Sequence, residues 1–128
     1  MKVNAVSVST TNMERSTEFY RALGFEFEPF DEDAMHVTSV DKEGSARLMI
    51  DDVQVIREII GEDPRPGNSS GFAIEFNSAG EVDETAGRVA AAGFTVAKAP
   101  WDAFWGQRYA IVEDPEGYKI DLYAMLPG

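Results

Sequence analysis

Three side chains in this sequence have the chemistry to act on a bound molecule: Asp121, Glu75 and His36. A carboxylate taken out of water can serve as a general base, and an imidazole can serve as a base or a metal ligand. There is no cysteine, which removes thiolate nucleophiles, disulfides and every thiolate metal site. Asp121 is the best placed by local pattern. Strand side chains alternate, so within residues 118–123 Ile120 and Leu122 point to one face while Lys119, Asp121 and Tyr123 point to the other. Just upstream lie Trp101, Phe104 and Trp105, read as a loop. Rings beside a polar strand face suit the mouth of a ligand pocket. A solvated polar face, with the rings buried in a dimer interface, fits the same residues.

The elements that must position these groups are legible from periodicity and stop signals. Residues 107–113 form a strand, Asp114-Pro115-Glu116-Gly117 carries type I turn chemistry with Gly117 free to take positive φ, and residues 118–123 run back. Earlier in the chain, residues 3–9 alternate, with Val6 and Val8 on one face and Ala5, Ser7 and Ser9 on the other. Thr11-Asn12-Met13-Glu14 supplies a capping box for a helix whose apolar side is Met13, Phe19, Tyr20 and Leu23 and which stops at Gly24. Strands are predicted over 25–30, 35–40 and 46–50, followed by a short helix over 52–60. Residues 62–70, with two prolines and a glycine, cannot continue it.

The second half repeats the first. Residues 72–76 read as a strand, Ser78-Ala79-Gly80-Glu81 as a capping box, and Val82, Ala86 and Val89 as the apolar side of a helix ending at Gly93. Tyr20-Arg21-Ala22-Leu23-Gly24-Phe25 corresponds to Val89-Ala90-Ala91-Ala92-Gly93-Phe94, and an internal repeat of this kind speaks for architecture more strongly than any one propensity. The expectation is an α+β protein, one domain over 1–128, with a first βαβββ module at 1–52, a linker at 53–70 and a second module at 71–128.

Composition limits the partners. With 11 Lys+Arg against 23 Asp+Glu, a net charge of −12 repels phosphate backbones and anionic membranes and attracts cations, although solubility alone also explains an acidic surface. No apolar run reaches the roughly 18 residues of a membrane span, and the N-terminal stretch alternates like a strand instead of showing a signal-peptide core. The expected location is the cytoplasm.

The duplicated modules, Asn12-Met13-Glu14-Arg15-Ser16 followed by Phe19-Tyr20, the Leu23-Gly24-Phe25 stop and Asp114-Pro115-Glu116-Gly117 before the last strand together resemble the vicinal oxygen chelate superfamily. That group includes glyoxalase I, extradiol dioxygenases, fosfomycin-resistance enzymes and bleomycin-resistance proteins. The resemblance covers essentially the whole chain. It implies two modules forming a barrel-like cleft, usually completed in a homodimer, with ligand inside and, in the enzymes, a divalent metal held from the first and last strands of each module. Those positions fall here at Ala5, at Gly71, within Arg47-Leu48-Met49 and at Asp121. One carboxylate out of four positions does not make a divalent site, so no metal and no cofactor are expected. His36 lies off the pattern and reads as a sheet or surface histidine.

Carried through, these readings point to a metal-free protein that sequesters an aromatic or cationic small molecule, in the manner of bleomycin-resistance proteins. The ligand-binding candidates are Trp101, Phe104, Trp105, Tyr109, Asp121, Tyr123, Ser7 and Arg47. The rival is a glyoxalase-like lyase or isomerase, or a dioxygenase, with Asp121 and Glu75 as the catalytic candidates; Glu75 otherwise reads as a polar cleft residue or a partner for Arg108 or Arg47. A third possibility is a structural or regulatory dimer. A homodimer is expected, because a curved sheet leaves edges that a second chain covers.

Overall fold

A computed structural model describes residues 1–128 and shows an α+β chain in two compact units, Met1–Pro66 and Gly67–Gly128. The first contains β1 (Ala5–Thr10), α1 (Met13–Leu23), β2 (His36–Thr38), β3 (Arg47–Asp52) and α2 (Val53–Ile60). The second contains β4 (Phe72–Glu75), α3 (Ala79–Ala91), β5 (Thr95–Ala103), β6 (Gln107–Glu113) and β7 (Lys119–Met125). Each is a βαβββ-like module with a mixed sheet, of order β1-β3-β2 in the first and β4-β7-β6-β5 in the second. In both, the first strand pairs parallel with the last, β1 with β3 and β4 with β7.

The helix ends show why the repeat is legible. Asn12, not Thr11, caps α1: its side chain accepts from the Arg15 N–H at 3.0 Å. Thr10 accepts instead from the Asn12 N–H at 2.9 Å and hydrogen-bonds the Ser16 hydroxyl at 2.7 Å, so a buried polar pair ties β1 to the helix. Ser78 caps α3, accepting from the Glu81 N–H at 3.2 Å. At the other ends, Gly24 (φ 113°) and Gly93 (φ 85°) take the left-handed conformation. The next residue's N–H, from Phe25 or Phe94, then reaches back to the carbonyl of Tyr20 or Val89. This pairing satisfies carbonyls the last turn leaves open, and a Cβ at either glycine would be strained.

Met13, Phe19, Tyr20 and Leu23 are buried, as are Val8, Val37, Leu48 and Ile50 of the first sheet. In the second unit α3 packs on β5, β6 and β7, burying Val82, Ala86 and Val89 together with Ala110, Val112, Ile120, Leu122 and Ala124. Each large aliphatic side chain removed from water contributes roughly 1.5–3 kcal/mol. One face of each sheet is thereby committed to its helix.

Two expectations about strands are corrected. Residues 25–30 do not join a ladder: they alternate in exposure, but the Phe25 N–H is spent on the end of α1, the Glu26 carbonyl takes a single bond from the Val40 N–H at 2.8 Å, and Pro29 has no N–H to offer. Conversely, residues 95–103 form the longest strand in the chain, so Trp101 is a strand residue and only Phe104 and Trp105 lie in the connection. The β5–β6 register shifts between Val96 and Lys98 and again between Lys98 and Trp101. Such bulges break the period-two pattern that would have marked the strand. No helix is long and apolar enough to cross a membrane.

Candidate functional site

The face of the second sheet not covered by α3 carries the polar and aromatic residues. Alternation and register set it out in rows. Lys98, Ile111, Asp121 and Ala73 lie side by side across β5, β6, β7 and β4, and the next row is Trp101, Tyr109, Tyr123 and Glu75. The bulges in β5 are what allow Lys98 and Trp101, three residues apart, to share this face.

Asp121 sits at the centre, half-buried, and accepts hydrogen bonds from the Ser70 and Tyr109 hydroxyls. Both donors are neutral hydroxyls. Burial, reinforced by the bond to Asp121 and by its negative charge, pushes the Tyr109 phenol up to about 12, so it remains a proton donor through the physiological range. Tyr109 stacks on Tyr123, with centroids 5.9 Å apart and planes 21° apart. It meets Trp101 at 5.6 Å and Trp105 at 5.4 Å in edge-on contacts. Trp105 also touches Trp101 and Phe104, at 6.0 and 5.0 Å. Five rings thus form one continuous cluster, fixed at its rim by the Trp105 indole N–H donating to Gln107 at 2.8 Å. The Lys98 ammonium lies 5.0 Å from the Trp101 ring centre, so the indole face already serves as a cation platform.

The cluster is open outward: Phe104 is 97% and Trp105 47% exposed. Gly71, Ala73 and Glu75 are exposed along β4, and a Cβ added at Gly71 would meet nothing within 4 Å. Glu75 shares the Tyr123 row and is not held by an arginine. Arg108 points to the other face, where it bonds Asp83 of α3 at 2.9 Å and Asp102 of β5 at 3.2 Å, which raises its already high pKa. Trp101, Trp105, Tyr109, Tyr123 and Asp121 are therefore brought together, with Phe104 at the edge. Ser70, assigned from sequence to the linker, and Lys98 were missed. Neither carries a local signal, since Ser70 meets Asp121 across 51 residues of chain.

Ser7 and Arg47 belong to the first unit. Ser7 is exposed and Arg47 half-buried, on the face that also carries Met49, Asp51, His36 and Thr38. There His36 is engaged on both ring nitrogens, Nδ1 with Asp51 Oδ1 at 2.6 Å and Nε2 with Thr38 Oγ1 at 2.8 Å.

The residues present do not fit a divalent metal of the kind the related enzymes use. Ala5 and Gly71 supply no donor, Leu48 is flanked by Arg47 and Met49, and the Asp121 oxygens are already taken by two hydroxyl donors. No group of three or more His, Cys, Asp or Glu side chains is placed to hold an ion.

Comparison with known proteins agrees with this architecture. Residues 2–122 match the family model described as the Glyoxalase/Bleomycin resistance protein/Dioxygenase superfamily. Among solved structures the chain is similar to a glyoxalase/bleomycin resistance protein/dioxygenase from Nocardioides, with 24% identity over 100% of this chain and 85% of that one, at a TM-score of 0.74. It is similar also to a glyoxalase-related enzyme from Fulvimarina pelagi, with 21% identity over 96% and 87% at a TM-score of 0.81. A third is a lactoylglutathione lyase from Agrobacterium tumefaciens, with 19% identity over 96% and 92% at 0.69. No curated protein sequence matched the chain significantly. Identities this low speak for the fold alone, whereas the family match spans nearly the whole chain. On that match, and on the paired βαβββ-like modules that explain it, the chain belongs to the glyoxalase/bleomycin resistance protein/dioxygenase superfamily.

Proposed function

We propose that the protein binds a planar cationic or aromatic small molecule on the Asp121 face of its second sheet and holds it without changing it. The observation that carries this reading is a charged carboxylate with only neutral partners, set beside a cluster of five rings. A ring stacked on a planar ligand contributes about 1 kcal/mol beyond burial, and a cation over an indole a similar amount. Asp121 adds a carboxylate whose own hydrogen-bond partners are both hydroxyls, while the Lys98 ammonium lies over Trp101 at the far side of the row. The edge-on ring contacts hold the walls in place before binding, which lowers the ordering cost of association.

Indole fluorescence reads the binding directly, because both tryptophans belong to the cluster. Titration with a planar cationic dye should give saturable quenching, and the dye should be recovered intact after prolonged incubation. No saturable quenching by any of a panel of planar cations would sink the reading. Consumption of the dye would favour the second reading, a metal-independent acid–base reaction. That reading has Asp121 and Glu75 in adjacent rows of one face in its support, with Tyr109 as a protonated donor.

The same proposal takes the protein as a homodimer in solution, because both sheets end on edge strands that a second copy can cover. Sedimentation at tens of micromolar should give twice the chain mass of 14.1 kDa.

A further inference from the structure

The first unit holds a group of residues that the proposed ligand site does not use. We propose that Thr38, His36 and Asp51 form a hydroxyl–imidazole–carboxylate relay that makes the Thr38 hydroxyl a nucleophile toward small activated acyl esters.

The geometry runs in one line: Thr38 Oγ1 to His36 Nε2 at 2.8 Å, then His36 Nδ1 to Asp51 Oδ1 at 2.6 Å. An ionised carboxylate only accepts hydrogen bonds, so Asp51 fixes the proton on Nδ1 and leaves the Nε2 lone pair facing the threonine hydroxyl. Nucleophile and base within hydrogen-bond reach, with the base oriented by a third group, is the arrangement that activates a hydroxyl. Strand register produces it. His36 pairs with Asp51 across β2 and β3, and Thr38 lies two residues along the same face.

The Asp51 side chain is 13% exposed and the His36 side chain 49%, so the orienting carboxylate is sheltered and the imidazole meets solvent, while Thr38 is half-buried and still in part accessible. Fastening the short edge strand does not require these bonds. The β2–β3 ladder is closed at one end by the Asp52 N–H to the Met35 carbonyl at 2.9 Å. At the other end the Ser39 N–H reaches the Leu48 carbonyl at 2.8 Å, and the Leu48 N–H reaches the Ser39 hydroxyl at 2.9 Å. Asp51 is the one ionisable group facing the imidazole within this sheet, since the neighbours on that face are Met49, Thr38 and Ser9.

In the reaction, Thr38 Oγ1 forms a bond to the ester carbonyl carbon as its proton passes to His36 Nε2. The bond to the leaving alkoxide or phenoxide then breaks, and that group departs either with the proton from Nε2 or as the anion while Nε2 gives its proton to solvent. Water, deprotonated by the same nitrogen, releases the acid and restores the hydroxyl. Thr38 is the nucleophile, His36 the base and Asp51 a positioning residue.

The test uses the full chain with p-nitrophenyl acetate. Release of p-nitrophenol should follow single-site kinetics, with a rate that rises with pH through the titration of an imidazole and then levels. Peptide mapping of the quenched reaction should find acetyl on Thr38. Thr38→Val, which removes the hydroxyl at constant shape, should abolish that adduct, and Thr38→Ser should retain it. His36→Asn should lower the rate about 100-fold, in line with the loss of a general base. Asp51→Asn should lower it by about tenfold or more, with a displaced pH profile. Acetyl found only on lysines or the N-terminus of the unmodified protein would overturn the proposal, and this reading does not depend on any variant folding. A His36→Asn protein that unfolds at the normal temperature yet reacts at the normal rate would overturn it too.

Discussion

The two units share a plan and have put different chemistry on it. In each, a parallel pair of strands, β1 with β3 and β4 with β7, is backed by a capped helix that stops at a left-handed glycine. The polar face of the first sheet carries Ser7, Arg47, His36, Thr38 and Asp51, without one ring larger than imidazole. The uncovered face of the second carries Trp101, Tyr109 and Tyr123 around Asp121. The second sheet is also one strand wider, because β5 joins a ladder while the matching residues 25–30 do not. The difference teaches that the backbone repeat is held by buried positions and caps, whereas each open face is free to diverge. A wide antiparallel hairpin ladder gives large rings cross-strand neighbours to stack on.

If that division is right, the buried faces should behave alike. Leu48→Ala and Leu122→Ala each remove a side chain with no exposed surface, one per unit. Each should destabilise by about 2–5 kcal/mol in urea unfolding. A small loss in one and a large loss in the other would break the symmetry of the comparison.

The open faces should behave differently. Trp101→Ala should weaken a planar cation by about 1–3 kcal/mol in a fluorescence titration read on Trp105, with unfolding still cooperative. Ser7→Ala or Arg47→Ala in the first unit should leave that affinity unchanged. Should Trp105→Ala instead shift the mass in sedimentation with little change in affinity, the rings belong to an interface.

Asp121→Asn sharpens the contrast at nearly constant volume. It removes a negative charge, so affinity should fall more for a cationic ligand than for a neutral analogue. The Tyr109 phenol should also titrate earlier in ultraviolet absorbance, moving from about 12 toward the ordinary value near 10, though burial keeps part of the shift. The sign follows from linkage. A phenol whose folded pKa is raised holds its proton better when folded, so its contribution to stability is intact below about pH 10 and is lost as pH climbs toward about 12. In the Asn variant that alkaline loss should be smaller.

The least effect is expected on the covered side of the second sheet. Arg108 is 25% exposed and its partners Asp83 and Asp102 are 49% and 64% exposed. Arg108→Ala should therefore cost about 1 kcal/mol or less, and the difference should fade in high salt. A salt-independent loss would mean that the guanidinium fastens α3 to the sheet by packing more than by charge.

By itself the sequence determined what depends on neighbours along the chain. The helix caps and glycine stops, the Asp114–Gly117 turn and the two faces of β7 are all legible, because capping, turn chemistry and period-two alternation act within a few residues. The repeat amplified these local signals into a fold and a family. It also showed that Ala5 and Gly71 carry no metal donor, since that is a matter of residue identity. Only the tertiary structure decided which segments found ladder partners. Residues 25–30 alternate yet stay unpaired. Residues 95–103, whose bulges and proline hide the pattern, form a strand of nine residues, six of them in register with β6. It alone brought Ser70 and Tyr109 onto Asp121, and Asp51 and Thr38 onto the one histidine. Those meetings are fixed by strand register between segments distant in sequence, and register is set by the packing of whole sheets, which no local periodicity encodes.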